Sequence, residues 1–310
     1  MIPPKVTIIM ATYNRAHFIV ETLESIRLQS YKSWECLIID DGGADNTMEV
    51  IAPILEQENR FQFLKRPDSY IKGLPGCRNY GLDLAKGDCI LFFDDDDVVH
   101  PENLKTSVEA VELVGVDFCH YQKLSFEEQP PIIKNNPITI VKSLTKGDIE
   151  KIVTQKIGLA SCTVLWKKQC FDKIRFNETL LYAEEWECYS RIISENFKGI
   201  VISNVLYYNR KHPNSNTGEF YSNNAIRRAS YSKAILLVIE NLKRKQLLSD
   251  ILLRYFIILS KDLVEYHLFK SILDILELSK FEKLKWQFFY GTLPLRLPLY
   301  KMKKQLKRFN

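Results

Sequence analysis

The first 120 residues alternate between two hydrophobic patterns. Short apolar or β-branched runs fall at 6–10, 36–39 and 89–93, with a short strand pattern at 61–64. Between them, apolar positions at helical spacing predict helices over 17–29, 46–58 and 76–86. Strands apolar on both faces and separated by helices predict a parallel sheet covered on both sides. Polar residues gather where the runs stop, at Thr12-Tyr13-Asn14-Arg15, Asp40-Asp41-Gly42-Gly43 and Asp94-Asp95-Asp96-Asp97. In an open α/β sheet that carboxyl edge is where ligands bind. A Pro-rich stretch at 129–137 predicts a loop over this edge, and 138–220 reads as mixed α+β. From about 222 onward the spacing predicts helices at 224–243 and 246–278, neither containing Pro or Gly. The expected organisation is an α/β domain over 1–220 followed by a helical region over 221–310.

With 46% hydrophobic and 26% charged residues, the 310-residue chain can bury a large core and does not have the composition of a disordered one. Its net charge of +5 is unevenly placed. Residues 280–310 hold nine Lys and Arg against one acid, Glu282, so the rest of the chain is mildly acidic. Phosphate would be repelled by that acidic body, which argues against nucleic acid as a partner. Seven cysteines occur singly, with no C-x-x-C pair, and read as reduced thiols of a cytosolic protein, mostly small buried hydrophobes. The N-terminus runs straight into a strand with no basic-then-apolar leader. No uncharged apolar stretch approaches the ~20 residues a bilayer span needs, since 251–259 is short and broken by Arg254.

Four adjacent carboxylates directly after a buried strand repel one another and call for a cation. If the chain stays extended, Asp94 and Asp96 share a face, and two oxygens there suit Mg²⁺ or Mn²⁺. The alternative is a solvated acidic turn. Asp40 and Asp41 could accept from a ribose hydroxyl or a base N–H, or could form an Asx turn before the next helix. Arg78, at a helix start, is placed to hold a diphosphate, though a surface Arg is common there. Glycines 73, 76 and 81 make neither G-x-G-x-x-G nor a Walker A loop, which disfavours a dinucleotide dehydrogenase or a P-loop NTPase. Glu184 and Glu185 open a predicted helix, where a carboxylate is stabilised as the anion; an ordinary acidic helix start is the alternative. His212, after the basic Arg210-Lys211, could meet a metal or phosphates in a closing loop, or could be a plain loop histidine. Trp166 and Tyr182 could stack on a sugar ring or pack in the core.

Taken in order, Thr7 to Arg15, Ile38-Ile39-Asp40-Asp41-Gly42, Arg78-Asn79-Tyr80-Gly81, Ala85 to Asp97 with His100-Pro101, Ala183-Glu184-Glu185-Trp186-Glu187 with Arg191, and Tyr208 to Ser215 resemble the family 2 inverting glycosyltransferases. The resemblance covers roughly 5–216. It implies a nucleotide-diphosphosugar transferase fold (GT-A-like), a three-layer sandwich of Rossmann type. A nucleotide-binding half would occupy 1–120 and an acceptor half 121–220. By position, Thr12, Tyr13, Asp41 and Arg78 would contact the nucleotide with Asp40 in support. Asp95 would lie near the ribose, and Asp94 and Asp96 at a Mn²⁺ or Mg²⁺ bound to the diphosphate. The family's Glu-Asp pair before Trp is Glu-Glu here, so Glu185 stands at the base position, one methylene longer, with Glu184 as the other candidate. The family's Asp-Asp-Gly-Ser is Asp-Asp-Gly-Gly, which loses a turn hydroxyl and no catalytic group.

The resemblance therefore implies transfer of a sugar from a nucleotide-diphosphate donor, a uridine one by preference, to a glycan acceptor with inversion, in the synthesis of bacterial cell-surface polysaccharide. Such a displacement needs a base to take the acceptor's proton. A nucleotidyltransferase of similar fold would release pyrophosphate instead, and a non-catalytic member of a glycan-assembly complex would turn nothing over. The stretch 280–310 interleaves basic with apolar groups, as suits an anionic membrane surface, where each cation contributes ~1 kcal/mol. A lipid-linked acceptor at the inner face of the cell membrane would account for it; a terminal helix with a solvated basic side is the alternative.

Overall fold

The computed structural model describes residues 5–132, 134, 137–212, 216–263, 265–292, 294–296 and 298. The chain has two compact units, 1–234 and 235–310. In the first, β1 (Val6–Thr12), α1 (Ile19–Arg27), β2 (Trp34–Asp40), α2 (Thr47–Gln57), β3 (Phe61–Lys65), α3 (Leu74–Leu84) and β4 (Cys89–Phe93) follow the alternation read from the sequence. Next come β5 (Val98–Val99), α4 (Asn103–Val114), β6 (Phe118–Phe126), β7 (Ile140–Leu144), α5 (Ile149–Val153), β8 (Val164–Lys167), α6 (Glu184–Ile193), β9 (Gly199–Arg210) and α7 (Asn216–Tyr221). The boundary between units falls inside α8 (Ala225–Arg244).

The described strands form one sheet in the order β3-β2-β1-β4-β8-β6-β9-β5, and β7 pairs with β9 off this path. β3, β2, β1 and β4 are parallel, whereas β8 runs antiparallel to β4 and β6, and β5 and β7 run antiparallel to β9. The fully parallel sheet expected from the apolar runs is thus one half of a mixed sheet. Alternate residues of β1 and β2 serve opposite faces. Ile8, Met10, Cys36 and Ile38 join a core with Leu23 of α1, Ile51 of α2 and Val108 of α4. On the other face, Leu37 and Ile39 pack with Cys77 of α3. Burying each such Ile or Leu contributes about 1.5–3 kcal/mol. Trp166 is wholly buried, packed between Phe118 and Tyr189 at 4.7 and 4.8 Å.

β9 pairs in parallel with β6, but the ladder is irregular. Between the pairs His120/Val201 and Lys123/Tyr207, β6 advances three residues and β9 advances six. The surplus on β9 is fastened by Asn204, which accepts from Thr139 N–H at 3.3 Å and donates to the Pro137 carbonyl at 3.3 Å. Beyond it, Tyr207 and Tyr208 pair with β5. That pairing brings the end of β9 back beside the chain that leaves β4.

The second unit contains the rest of α8 and α9 (Asp250–Leu263), α10 (Tyr266–Ile275) and α11 (Lys280–Gly291). The single helix expected over 246–278 is two helices. Glu265, extended at φ −111° and ψ 101°, caps α10, and helical spacing continues through a break that no Pro or Gly marks. Among the described residues, no helix is long and apolar enough to cross a membrane. All seven cysteines are buried and free, as small hydrophobes.

Candidate active site

The parallel strands β1, β2 and β4 end side by side, and the polar residues after them meet. Asp94 to Asp97 do not continue the strand. Asp95 and Asp96 form a turn, so the alternation expected to place Asp94 and Asp96 on one face does not hold. Arg15, from the β1–α1 connection, reaches Asp95 at 3.4 Å and Asp96 at 3.6 Å. Asp96 Oδ2 lies 3.0 Å from His212 Nε2. Asp97 is wholly buried and structural: both its oxygens accept from Asn209 Nδ2 at 3.1 Å, and Oδ1 also accepts from the Arg210 backbone at 2.8 Å. Arg210 Nε donates to the Asp96 carbonyl at 3.0 Å. The β5–β9 pairing is what delivers these partners, more than 110 residues away in sequence.

Asp94 faces the other way. Its carboxylate is 3.9 Å from Arg78, which is buried and donates to Glu184 Oε1 at 2.8 Å. The rings of Phe92 and Phe176 lie 5.6 and 5.3 Å from this guanidinium. Glu184 is buried at the start of α6, next to Ala183, whose φ of 62° is unusual for a residue with a Cβ. Glu185 is only half-buried and close enough to Asp94 and Arg78 to affect both electrostatically. Lys123 of β6 approaches the same cluster, with Nζ 3.8 Å from Cys162 Sγ, and one donor atom each of Asp94, Asp97 and Cys162 lies within 4.8 Å of the others.

The nucleotide-side residues are ordered by one another. Asp41 is buried, accepting from Arg66 Nε at 2.6 Å and from Gly73 N–H at 3.1 Å. Asp40 accepts from Gly43 N–H at 2.9 Å, a turn bond of the kind given as the alternative to its nucleotide role. Asn14, at φ 55°, ties the β1 and β2 connections by accepting from Ala44 N–H at 2.7 Å. Thr12 is buried, while the Tyr13 ring is exposed with Lys72 Nζ 4.7 Å from its centre. Tyr182 is half-buried and stacked on Phe220 at 4.5 Å. Arg66 and Lys123 were not singled out by the sequence reading, and Arg15 was noticed only within a motif. Arg66 and Lys123 sit in unremarkable local sequence and gain meaning only through contacts.

Charge is out of balance here. Burial, and next the charge of Asp96, push the Asp95 carboxyl up to about 7 against the pull of Arg15. Burial also raises Asp94, although Arg78 opposes it, and raises Asp97 with the charges of Asp94 and Asp96 adding to the effect. Glu184 is raised by burial and by Glu185, in spite of Arg78. A divalent cation relieves such crowding. Asp96 and His212 converge as a carboxylate oxygen and an imidazole nitrogen, a donor set that suits a divalent first-row cation such as Mn²⁺. The residues present therefore fit a metal.

The profile of glycosyl transferase family 2 matches residues 7–164. The chain belongs to this family. Among curated relatives, the amylovoran biosynthesis glycosyltransferase AmsB of Erwinia amylovora is 27% identical over 212 residues, 64% of this chain and 67% of that protein. An uncharacterized glycosyltransferase of Rickettsia conorii is 27% identical over 195 residues, and there the match spans only 31% of the relative's length. The structure of S. aureus TarS 1–349 in complex with UDP-GlcNAc superposes with a TM-score of 0.68 at 19% identity, over 87% of this chain and 79% of that one. The mannosyltransferase PcManGT of Pyrobaculum calidifontis, in complex with GDP-Man and Mn²⁺, gives 0.58 at 15% identity over 98% and 83%. The fold is the expected GT-A-like α/β fold with a helical C-terminal region.

Proposed function

We propose that the chain transfers a sugar from a uridine-diphosphate donor to a glycan hydroxyl with inversion, in the synthesis of cell-surface polysaccharide. The observation that carries this reading is the Asp94–Arg78–Glu184 chain. It ties the start of α6 to the aspartate turn and commits Glu184 to an ion pair. Glu185 is then the carboxylate left to act as base. The acceptor oxygen attacks the anomeric carbon, its proton passes to Glu185, and the bond from that carbon to the diphosphate oxygen breaks to release UDP. Asp96 and His212 would hold the metal, and Asp94, beside Arg78, would add negative charge near it. When bound, Mn²⁺ or Mg²⁺ supplies positive charge beside the departing diphosphate. Thr12, Tyr13, Asp40, Asp41 and Asp95 line the nucleotide end, and Arg78 acts through the groups it fixes. Support comes from family membership, from the amylovoran biosynthesis named for the Erwinia relative, and from the UDP-GlcNAc in the S. aureus neighbour. We place the enzyme peripherally at the cytoplasmic face of the membrane, with residues 280–310 toward anionic lipid. Its acceptor is carried on lipid there, as the name of a relative acting on a diphosphate-undecaprenol glycan supports.

The test is UDP release from a panel of UDP-sugars with and without Mn²⁺. Glu185→Gln is expected to lower kcat by about 10²–10⁴-fold with little change in donor KM. Asp96→Ala is expected to abolish the response to Mn²⁺. Turnover unaffected by both changes would refute the assignment, and pyrophosphate as product would mark a nucleotidyltransferase.

A further inference from the structure

Helix α11 wears its apolar stripe on the outside. Phe281, Leu284 and Phe288 are 79%, 64% and 76% exposed, and they fall within roughly a 60° arc at 100° per residue. Lys280 and Lys285, both exposed, flank this arc on either side. The helix is held within its own unit from the opposite face. There Tyr290 is buried, stacked on Phe269 at 4.3 Å, and Lys283 pairs with Asp274 at 3.6 Å. Its single acid, Glu282, lies away from the stripe in a capping box with Ser279. Just past the stripe, Trp286 and Phe289 line an open apolar cleft of about 430 Å³ whose edge carries Lys285 and Arg296. Leu295 adds another apolar side chain, 80% exposed. A solvated helix turns its apolar stripe inward and its lysines to water. An outward stripe bordered by cations matches one surface chemistry, the acyl–phosphate boundary of an anionic bilayer.

We propose that α11 lies in the headgroup layer of an anionic membrane. Phe281, Leu284 and Phe288 enter the acyl region, and Lys280 and Lys285 contact lipid phosphates. The claim rests on the membrane location assigned above and goes beyond it, because it requires insertion of apolar side chains in addition to electrostatic adsorption. It is independent of the catalytic assignment.

The test is co-sedimentation of the full chain with phosphatidylcholine vesicles, with or without phosphatidylglycerol, at low salt and at about 0.5 M NaCl, where exposed charges are screened. The wild-type chain is expected to prefer the anionic vesicles and to keep a bound fraction at high salt. Phe281→Ser with Phe288→Ser is expected to lose that salt-resistant fraction by about tenfold or more, with UDP release from a soluble donor unchanged. Lys280→Gln with Lys285→Gln is expected to weaken the preference for phosphatidylglycerol and keep the salt-resistant part. Equal salt-resistant binding by the double-serine variant and the wild-type chain would overturn the insertion, even if low-salt adsorption persisted. So would a dimer in sedimentation velocity that the serine variant abolishes, since the stripe would then cover a second copy.

Discussion

Arg78 shows how one side chain can hold the site without being its chemical actor. Enclosed by Phe92 and Phe176 and bonded to Glu184, it separates carboxylates that would otherwise repel. Arg78→Met should therefore cost about 3–5 kcal/mol, as breaking one half of a buried pair does. Arg78→Met combined with Glu184→Gln should recover part of that loss, and denaturant midpoints of the two variants are the measurement. Equal midpoints would mean that the pair contributes no coupling. In the sequence, Arg78 was legible as a group at a helix start and Glu184 as part of an acidic pair. Their union was not, because no local pattern links positions 106 residues apart. The same holds for His212 and Asp96, each read as a candidate near a metal and brought together in space by the β5–β9 pairing. Lys123 had no signal at all, since a lysine in an alternating strand looks like solvent-facing charge.

Among the elements, β1, β2 and β4 were readable because each is a largely apolar run buried on both faces, and β3, half-buried beyond Phe61, was readable from its Phe61, Phe63 and Leu64. β5 has two residues and β8 four, too few for any periodicity, and the antiparallel pairings they make were hidden with them. The break between α9 and α10 was hidden for a related reason, as apolar spacing carries on across it. Helix α3 depends on a close approach at its start. A Cβ on Gly76 would stand 2.0 Å from the Ile71 carbonyl oxygen, which is backbone and cannot step aside. Gly76→Ala should lower stability by about 1–3 kcal/mol, the usual range for overpacking, with the thermal midpoint as readout. An unchanged midpoint would show that the 71–76 turn can relax.

For the molecule as a whole, the raised carboxyls set a dependence of stability on pH. Asp94, Asp95 and Asp97 are held above the ordinary carboxylate range in the folded chain. The folded state thus keeps protons that the unfolded chain has released. By linkage, stability falls as pH rises from the ordinary values near 4 through the raised ones, about 7 for Asp95. The melting temperature in the presence of a chelator should drop between pH 5 and pH 8, and Mn²⁺ should restore more of it at pH 8 than at pH 5. A flat or rising profile would contradict this charge balance. A last consequence concerns length. β9 gains three residues on β6 before it reaches Tyr207. The surplus enters in two irregular steps, at His120/Gln122 and Gln122/Lys123, which break the alternation of the strand, so the facing of 207–210 is set by their pairing with β6 and β5. Shortening 202–206 would strain the Asn204 fastening first and, through it, the reach of Asn209 to Asp97. The detour works as a spacer that sets the end of β9 against the aspartate turn.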